Sequence, residues 1–251
     1  MTGTFLNVGA IVVGALAGTA VGGRLPARVR TTVTDLLGLF VVVLGIADAL
    51  DTFGPELAGH LGRGAVLLVL GSLLVGGLVG EAVDVEARLT RLGERLRDAV
   101  LGRGPDAAAA HGPDAEGARH RFVEGFVVTT LLVCVGPLAV LGAVEGGLTG
   151  SMQLLSVKSV LDGFAALAFA SALGLGVAFA ALPLLLYQGG LTLAAAAVGP
   201  WTTEVMVATV GAVGGFLVVG IGLRLLEIRA IRVANLLPAL VVAPVAVALW
   251  P

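Results

Sequence analysis

Residues 163–198 of the chain read GFAALAFASALGLGVAFAALPLLLYQGGLTLAAAAV, without one charged side chain. A helix needs roughly 20 apolar residues to cross the hydrocarbon core of a bilayer, so this stretch is too long for one ordinary span. It predicts two membrane helices hinged near Gly174-Leu-Gly176. The alternative is one long helix that is broken at Pro183 or at Gly189-Gly190. Either arrangement places this part of the chain in lipid.

The composition extends this interpretation to the whole chain. Of the 251 residues, 57% are hydrophobic and 13% are charged, whereas a soluble domain has roughly 25% charged residues. The chain has too few charged residues to cover its surface, so we expect that surface to contact the lipid bilayer. The apolar runs predict an all-α, polytopic transmembrane helical bundle of about eight spans, at residues 4–23, 33–50, 64–82, 123–143, 154–175, 177–197, 205–225 and 233–250.

The positions of the arginines test this number of spans. A secretory signal would require a Lys or Arg before the first apolar run, and none is present. The sequence therefore predicts that the first span is retained. Three clusters follow spans one, three and seven: Arg24, Arg28 and Arg30; Arg88, Arg91, Arg95, Arg97, Arg103, Arg119 and Arg121; and Arg224, Arg229 and Arg232. Eight spans place all three clusters on one side, as the excess of Lys and Arg in cytoplasmic loops requires. We therefore expect both termini outside.

The chain divides into residues 1–82 with spans one to three, a cytoplasmic segment 83–121, and residues 122–251 with spans four to eight. In the middle segment, apolar residues recur at steps of three and four: Val85, Leu89, Leu92, Leu96 and Val100. This pattern predicts an amphipathic helix that lies on the headgroups or on the protein. Recognition of a partner by this helix is the alternative. The following residues, 102–117, predict a flexible linker.

Two further patterns concern helix packing. Residues 37–43 (LGLFVVV) align with residues 213–219 (VGGFLVV) in spans that cross in opposite directions. Inverted repeats of this kind are typical of secondary transporters, although chance similarity is the alternative in a chain so rich in Gly, Val and Leu. Glycines four apart predict close packing inside the bundle, or alternatively a homo-oligomer: Gly14, Gly18 and Gly22; Gly76 and Gly80; Gly211 and Gly215.

Lys158 is the only lysine, and it lies outside the arginine clusters at the start of span five. Asp162 follows four residues later, on the same helix face, and Ser159 is the adjacent residue. A charge at bilayer depth costs about 2.5–3.5 kcal/mol on insertion scales, so such residues usually pair and face a cavity. The pair could neutralise itself or bind a small anion or a proton. The alternative is an interfacial lysine that reaches outward and makes an ordinary salt bridge.

Two related strings carry other polar candidates. Glu145-Gly-Gly-Leu-Thr-Gly150 follows span four, and Gln188-Gly-Gly-Leu-Thr192, with Tyr187 before it, ends the span-six region or interrupts it. Paired glycines can unwind a helix, and exposed backbone is tolerated at membrane depth only where it lines a cavity or is buried in protein. These strings predict two halves of a polar site, or alternatively two simple turns. A turn is favoured for the first.

Three more polar features point to structure rather than to catalysis. Asn7 and Asn235 are expected to bond across helices. Cys134 is the only cysteine, which rules out an internal disulfide. The sequence contains no metal-ligand spacing, nucleophile elbow or phosphate-binding loop, and no basic stripe with interleaved aromatic residues. We therefore expect no cofactor, no metal, no nucleic-acid partner and no enzyme activity.

Several motifs in order resemble a known family. They are Gly3-Thr-Phe-Leu-Asn7, Glu145-Gly-Gly-Leu-Thr-Gly150, Val157-Lys-Ser-Val-Leu-Asp-Gly163, Phe169-Ala-Ser-Ala-Leu-Gly174, Leu182-Pro-Leu-Leu-Leu-Tyr-Gln-Gly189 and Val233-Ala-Asn-Leu-Leu-Pro-Ala-Leu240. The chain thereby resembles the YdfK/YqgA-like family of uncharacterised bacterial inner-membrane proteins along nearly its whole length, except at 102–121. The resemblance implies a location in the inner (plasma) membrane and supplies no substrate or catalytic residue.

Two functions are compatible with these observations. The first is a transporter or channel for a small solute or ion, cationic or anionic. Its substrate-binding residues would be Lys158, Asp162, Ser159, Gln188, Tyr187, Thr192 and Glu145. The second is a non-transporting scaffold that binds a partner through residues 83–101. A water-accessible cavity around Lys158 would distinguish the first from the second.

Overall fold

A computed structural model describes residues 1–101, 113–199 and 202–250, and within them the chain forms helices and no strand. The α-helices are α1 (Thr2–Gly22), α2 (Ala27–Leu50), α3 (Pro55–Leu61), α4 (Gly64–Val83), α5 (Val85–Leu101), α6 (Pro113–Val135), α7 (Pro137–Thr149), α8 (Gln153–Leu173), α9 (Ala181–Leu193), α10 (Ala195–Val198), α11 (Glu204–Leu225) and α12 (Ala239–Ala248). Short 3-10 helices occur at Asp51–Phe53, Leu175–Ala180 and Val233–Leu236. The predicted all-α polytopic bundle is confirmed.

Among the described residues, six helical segments are long and apolar enough to cross a membrane: Thr2–Gly22, Ala27–Leu61, Gly64–Val83, Gln153–Leu173, Leu175–Leu193 and Glu204–Leu225. The bent pair α6–α7 is either a broken span, which would be a seventh crossing, or a re-entrant loop. The predicted eighth span, 233–250, is a shorter apolar segment, Val233–Ala248, which we call the last helical segment. The structure therefore supports six or seven spans by length and composition, and a shorter last helix in place of the eighth.

The span predicted at 123–143 is two helices that meet at an angle of 61°. The break lies at Gly136-Pro137, where Gly136 has extended backbone (φ −69°, ψ 148°) and Pro137 opens α7. Proline has no backbone N–H, so it cannot bond the carbonyl four residues earlier and it starts a new helix readily. The split predicted near residue 174 is confirmed, since Gly174 ends α8 with φ +84°, a conformation that favours glycine.

The helix directions follow from the closest backbone approaches. A Cβ on Gly14 would lie 2.2 Å from the carbonyl oxygen of Gly163, and one on Gly22 would lie 2.3 Å from that of Ser171. Helices α1 and α8 therefore run parallel. By the same criterion, α2 and α11 run antiparallel, because Gly215 faces Ala49 and Gly222 faces Val42.

Helices α4 and α12 are antiparallel too, with Gly64 against Trp250 and Gly80 against Asn235. The predicted opposite crossing of the two similar segments in α2 and α11 is thus observed. The repeat itself stays a prediction. The predicted glycine strips are covered by other helices of the same chain: Gly14, Gly18 and Gly22 by α8, Gly76 and Gly80 by the last helical segment, and Gly215 by α2.

Apart from Arg103, which lies outside the described residues, the arginine clusters are placed by these directions at one end of the bundle. We call it the arginine-rich end. The ends of α1, α8 and α11 meet there with the starts of α5 and α6, since Gly22 packs on Ser171 and Arg224 pairs with both Glu86 and Glu124. At the opposite end, α1, α7 and α9 meet. Which of the two ends faces the cytoplasm stays a prediction.

Helix α5 lies on the protein at the arginine-rich end. Val85, Leu89 and Leu96 pack against the hydrophobic core, and Gly93 lies against Phe126 of α6. Most of the predicted linker lies outside the described residues. Its last part is helical rather than flexible, because α6 already begins at Pro113.

Candidate functional site

A polar cluster lies between α1, α8 and α9, and Lys158 is its charged centre. Lys158 is only 4% exposed. Its ammonium forms an ion pair with Asp162 and donates a hydrogen bond of 2.9 Å to the carbonyl oxygen of Val133. The carboxylate side chain of Asp162 is 14% exposed. The Lys158 side chain is thus enclosed by other helices and does not reach outward, whereas the depth of the pair in the membrane stays a prediction.

The break between α6 and α7 supplies the acceptor for the lysine. In a continuous helix, the carbonyl of Val133 would accept from the N–H of the residue four positions later. That residue is Pro137, which has no N–H. The carbonyl is thus left without its usual donor, and Lys158 of α8 provides one. The buried ammonium therefore gains an acceptor, and the carbonyl at the helix break gains a donor.

Asn7 of α1 connects the charged pair to α9. Its amide nitrogen donates to Asp162 Oδ2 at 2.9 Å and to Gln188 Oε1 at 3.2 Å. Gln188 in turn donates to Thr4 Oγ1 at 3.5 Å, and the hydroxyl oxygens of Thr4 and Thr192 are 3.4 Å apart. The polar cluster thus comprises Thr4, Asn7, Lys158, Asp162, Gln188 and Thr192.

Asn7 has one group that the cluster does not satisfy. Both of its N–H groups are used, whereas its Oδ1 atom is buried without a hydrogen-bond partner among the described residues. Reversing the amide would not help, because the oxygen would then face the two acceptors on Asp162 and Gln188. A buried acceptor without a donor is costly. It marks a position at which a cation, a donor group of a solute or a water molecule would be stabilised.

The polar cluster lies between one and two helical turns from one end of the bundle. Asn7 and Lys158 are each five residues from the start of α1 and α8, and Gln188 is five residues from the end of α9. At 1.5 Å per residue, this distance is about 7.5 Å from the end opposite the arginines. Charged residues within membrane segments usually pair or face a cavity, and here Lys158 and Asp162 pair.

The structure brings four of the seven predicted site residues together: Lys158, Asp162, Gln188 and Thr192. The hydroxyl of Ser159 bonds its own helix, donating to the Leu155 carbonyl at 2.6 Å. Tyr187 lines a separate apolar groove. Helix geometry explains that misplacement, because adjacent residues point about 100° apart.

The two glycine-paired strings do not form two halves of one site. Helix α9 continues through the second string to Leu193, so the backbone expected to be unwound there is helical. The first string ends α7 in a turn at Gly150, with φ +74°, as favoured. Glu145 makes no hydrogen bond or ion pair to the polar cluster among the described residues, although its carbonyl accepts from Thr149.

The sequence did not identify Thr4 as a site residue, and it indicated only a cross-helix hydrogen bond for Asn7. Both lie on α1, three residues apart and hence on one face. Their spacing in an apolar run was the available signal. The sequence does not show that α1 presents that face to α9.

A second ionic cluster lies at the arginine-rich end. Arg224 donates to both oxygens of Glu124 at 2.7 Å and forms an ion pair with Glu86. Asn235 accepts from the backbone N–H of Glu86 at 2.7 Å and donates to Glu81, as its predicted cross-helix role requires. This cluster ties α5, α6, α11 and the last helical segment together. All of its carboxylates have partners, which points to a structural role.

Comparison with known proteins agrees with the sequence motifs. The chain is 33% identical to the uncharacterized protein YqgA of Escherichia coli (strain K12), over 99% of this chain and 97% of that protein. It is 29% identical to the uncharacterized membrane protein YdfK of Bacillus subtilis (strain 168), over 98% and 96% of the two chains. No solved structure matches. The model of a family of proteins of unknown function, DUF554, matches residues 2–248, and this chain is therefore a membrane protein that belongs to the DUF554 family.

Proposed function

We propose that the protein is a transporter of an ion or a small polar solute, and that the polar cluster is its binding site. The observation that supports this proposal most strongly is a buried Lys158–Asp162 pair beside a helix break and an unsatisfied Asn7 oxygen. Charged residues within membrane segments typically mark ion or substrate pathways.

The helix break adds a second argument. Discontinuous helices near the middle of the membrane supply backbone groups to the binding sites of many secondary transporters. Here the backbone group is the carbonyl of Val133, and the ammonium of Lys158 donates a hydrogen bond to it. The ammonium can therefore leave Asp162 while keeping one hydrogen-bond partner. Asp162 would then be free to bind a proton or a cation, and Lys158 to bind an anion.

The two possible charges of the solute would use different atoms. A cation or a hydrogen-bond donor would meet Asp162 and Asn7 Oδ1, both of which are acceptors. An anion would meet Lys158. Gln188 and Thr192 offer one amide and one hydroxyl to orient the solute. The Thr192 hydroxyl already donates to the backbone carbonyl of Gln188. The site thus suits a small solute with few polar groups.

The first test is a ligand screen on the purified protein. Thermal unfolding is measured in salts of Na⁺, Li⁺, K⁺, chloride and phosphate, and with small carboxylic acids and amines. A ligand at 100 times its Kd should stabilise the protein by about 2.7 kcal/mol. Any stabilising solute is then tested for uptake by proteoliposomes.

Two threonines provide a matched pair of variants. Thr192 and Thr209 are both buried, and each donates to the carbonyl four residues earlier, at 2.9 and 2.6 Å. Only Thr192 belongs to the polar cluster. We expect Asn7→Leu and Thr192→Val to weaken both stabilisation and uptake, whereas Thr209→Val should retain them. The proposal is overturned if no solute on the panel stabilises the protein and enters the vesicles, or if Asn7→Leu transports normally.

A further inference from the structure

An apolar groove runs beside the polar cluster and does not belong to it. It has a volume of about 670 Å³ and lies between α5, α6, α9, α11 and α12. Val85 and Leu89 line it at the arginine-rich end, Tyr187 lines its wall, and Ala248 lines its other end. Its polar groups are a few hydroxyls and one thiol. Such a lining suits a hydrocarbon chain and not the ion or polar solute of the proposed site.

The dimensions of the groove fit an acyl chain. Along the last helical segment, lining residues extend from Leu237 to Ala248. Eleven residues at 1.5 Å each correspond to about 16 Å. One leaflet of a bilayer has a hydrocarbon thickness of about 15 Å, which is half of the roughly 30 Å core. The groove is therefore long enough to hold lipid tails along one leaflet.

The groove begins beside a row of arginines. Arg88, Arg91 and Arg95 recur on one face of α5, and all three are exposed. None of them forms an ion pair with a carboxylate in the described part of the chain, whereas Arg224 and Arg232 do. Arg88 lies three residues after Val85 of the groove, and residues three apart are neighbours on a helix surface. The arginine row and the edge of the groove thus share the first turns of one helix.

We infer that this groove holds the acyl chains of an anionic phospholipid whose headgroup binds the arginine row of α5. Guanidinium groups bind phosphate oxygens through paired, charge-assisted hydrogen bonds. Basic residues next to a membrane favour anionic over zwitterionic lipids. Leu92 is 43% exposed on the neighbouring part of α5, which is consistent with a helix that lies against lipid. The inference does not depend on the proposed transport.

The test measures lipid binding to the purified full-length chain by native mass spectrometry. Phosphatidylglycerol and phosphatidylcholine with identical acyl chains are compared, and glycerol phosphate serves as the headgroup without tails. We expect phosphatidylglycerol to bind at least tenfold more tightly than phosphatidylcholine, and glycerol phosphate to bind much more weakly. Equal binding of the two lipids would overturn the inference. Equal binding of glycerol phosphate would show an anion site without a role for the groove and would overturn it as well.

Matched variants separate the headgroup from the tails. Replacing Arg88, Arg91 and Arg95 with Gln should weaken phosphatidylglycerol binding at least tenfold. The control triple variant replaces Arg24, Arg28 and Arg229, which are equally exposed at the same end, and should change binding less than twofold. An equal loss in both triple variants would mean non-specific attraction to basic charge and would contradict the inference.

A second pair of variants tests the groove. Val245 lines it and is partly open to lipid, so Val245→Trp should fill it and weaken binding. Val43 of α2 is similarly exposed but lies away from the groove, and Val43→Trp should leave binding unchanged. If neither tryptophan affects binding, the lipid does not occupy the groove.

Discussion

Replacing either member of the Lys158–Asp162 pair should destabilise the protein strongly. Removing one partner of a buried ion pair costs about 3–5 kcal/mol, because the other charge is left uncompensated. In Lys158→Met, the remaining carboxylate keeps its hydrogen bond from Asn7, whereas the Val133 carbonyl loses its donor. In Asp162→Asn, the ammonium keeps the Val133 carbonyl. Each single variant should therefore lose at least about 3 kcal/mol.

The double variant should lose much less than the sum of the two. Lys158→Met with Asp162→Asn leaves no buried charge, and the Asn oxygen can still accept from Asn7. The remaining defect is the unpaired Val133 carbonyl, which costs about 1–3 kcal/mol. The singles together would lose about 6 kcal/mol, so the coupling energy should be about 3 kcal/mol or more.

Thermal unfolding in detergent, followed by circular dichroism, provides the measurement. For a chain of this length, 1 kcal/mol shifts Tm by about 2–4 °C, so each single variant should unfold about 6–12 °C early. The double variant should recover part of that loss. If Lys158→Met unfolds within about 2 °C of the wild type, or if the double variant equals the sum of the singles, the pair is not buried and coupled as described.

Three further predictions concern packing, the second ionic cluster and orientation. Gly14→Ala should destabilise the bundle by about 1–3 kcal/mol, as overpacking does, because the new Cβ would meet the α8 backbone. The control variant Gly9→Ala, whose Cβ would have nothing within 4 Å, should be neutral or stabilising. Equal Tm values for the two variants would contradict the α1–α8 packing. Arg224→Ala should cost about 3 kcal/mol, because Glu124 loses both of its hydrogen bonds from Arg224 and Glu86 keeps only the bond from the Ala234 N–H. The exposed pair of Arg232 should contribute less than about 1 kcal/mol, so comparable losses in the two alanine variants would argue against the buried cluster. If the arginine-rich end faces the cytoplasm, alkaline phosphatase fused after the last helix should be active, and an active fusion in the 102–112 segment would reverse the orientation.

The helical bundle and most of its apolar helices could be predicted because the length of each apolar run is recorded locally in the sequence. Two features were harder. Gly136-Pro137 breaks a run that is apolar on both sides, so hydropathy alone did not reveal the bend. The last helix is shorter than its apolar run, because the chain forms a 3-10 turn at Val233–Leu236 before α12.

The polar cluster could be predicted only in part, for a physical reason. Lys158, Asp162 and Gln188 stand out because polar groups are costly in an apolar run. Which of them meet depends on the faces that α1, α8 and α9 turn toward one another, and that is a property of tertiary packing. Asn7 thus joins the charged pair, whereas Glu145, near the charged pair in sequence, stays apart from it.

Water access to the polar cluster is the most direct test of the proposed function. In a Cys134→Ser background, single cysteines replace Asp162, Gln188 and the lipid-facing control Leu161, which is 57% exposed. A membrane-impermeant thiol reagent is applied to vesicles from each side. The account predicts that the first two positions react and that a stabilising solute protects them, while the cysteine at Leu161 stays unreactive. If all three stay unreactive from both sides, no aqueous path reaches the cluster and the transporter proposal is wrong.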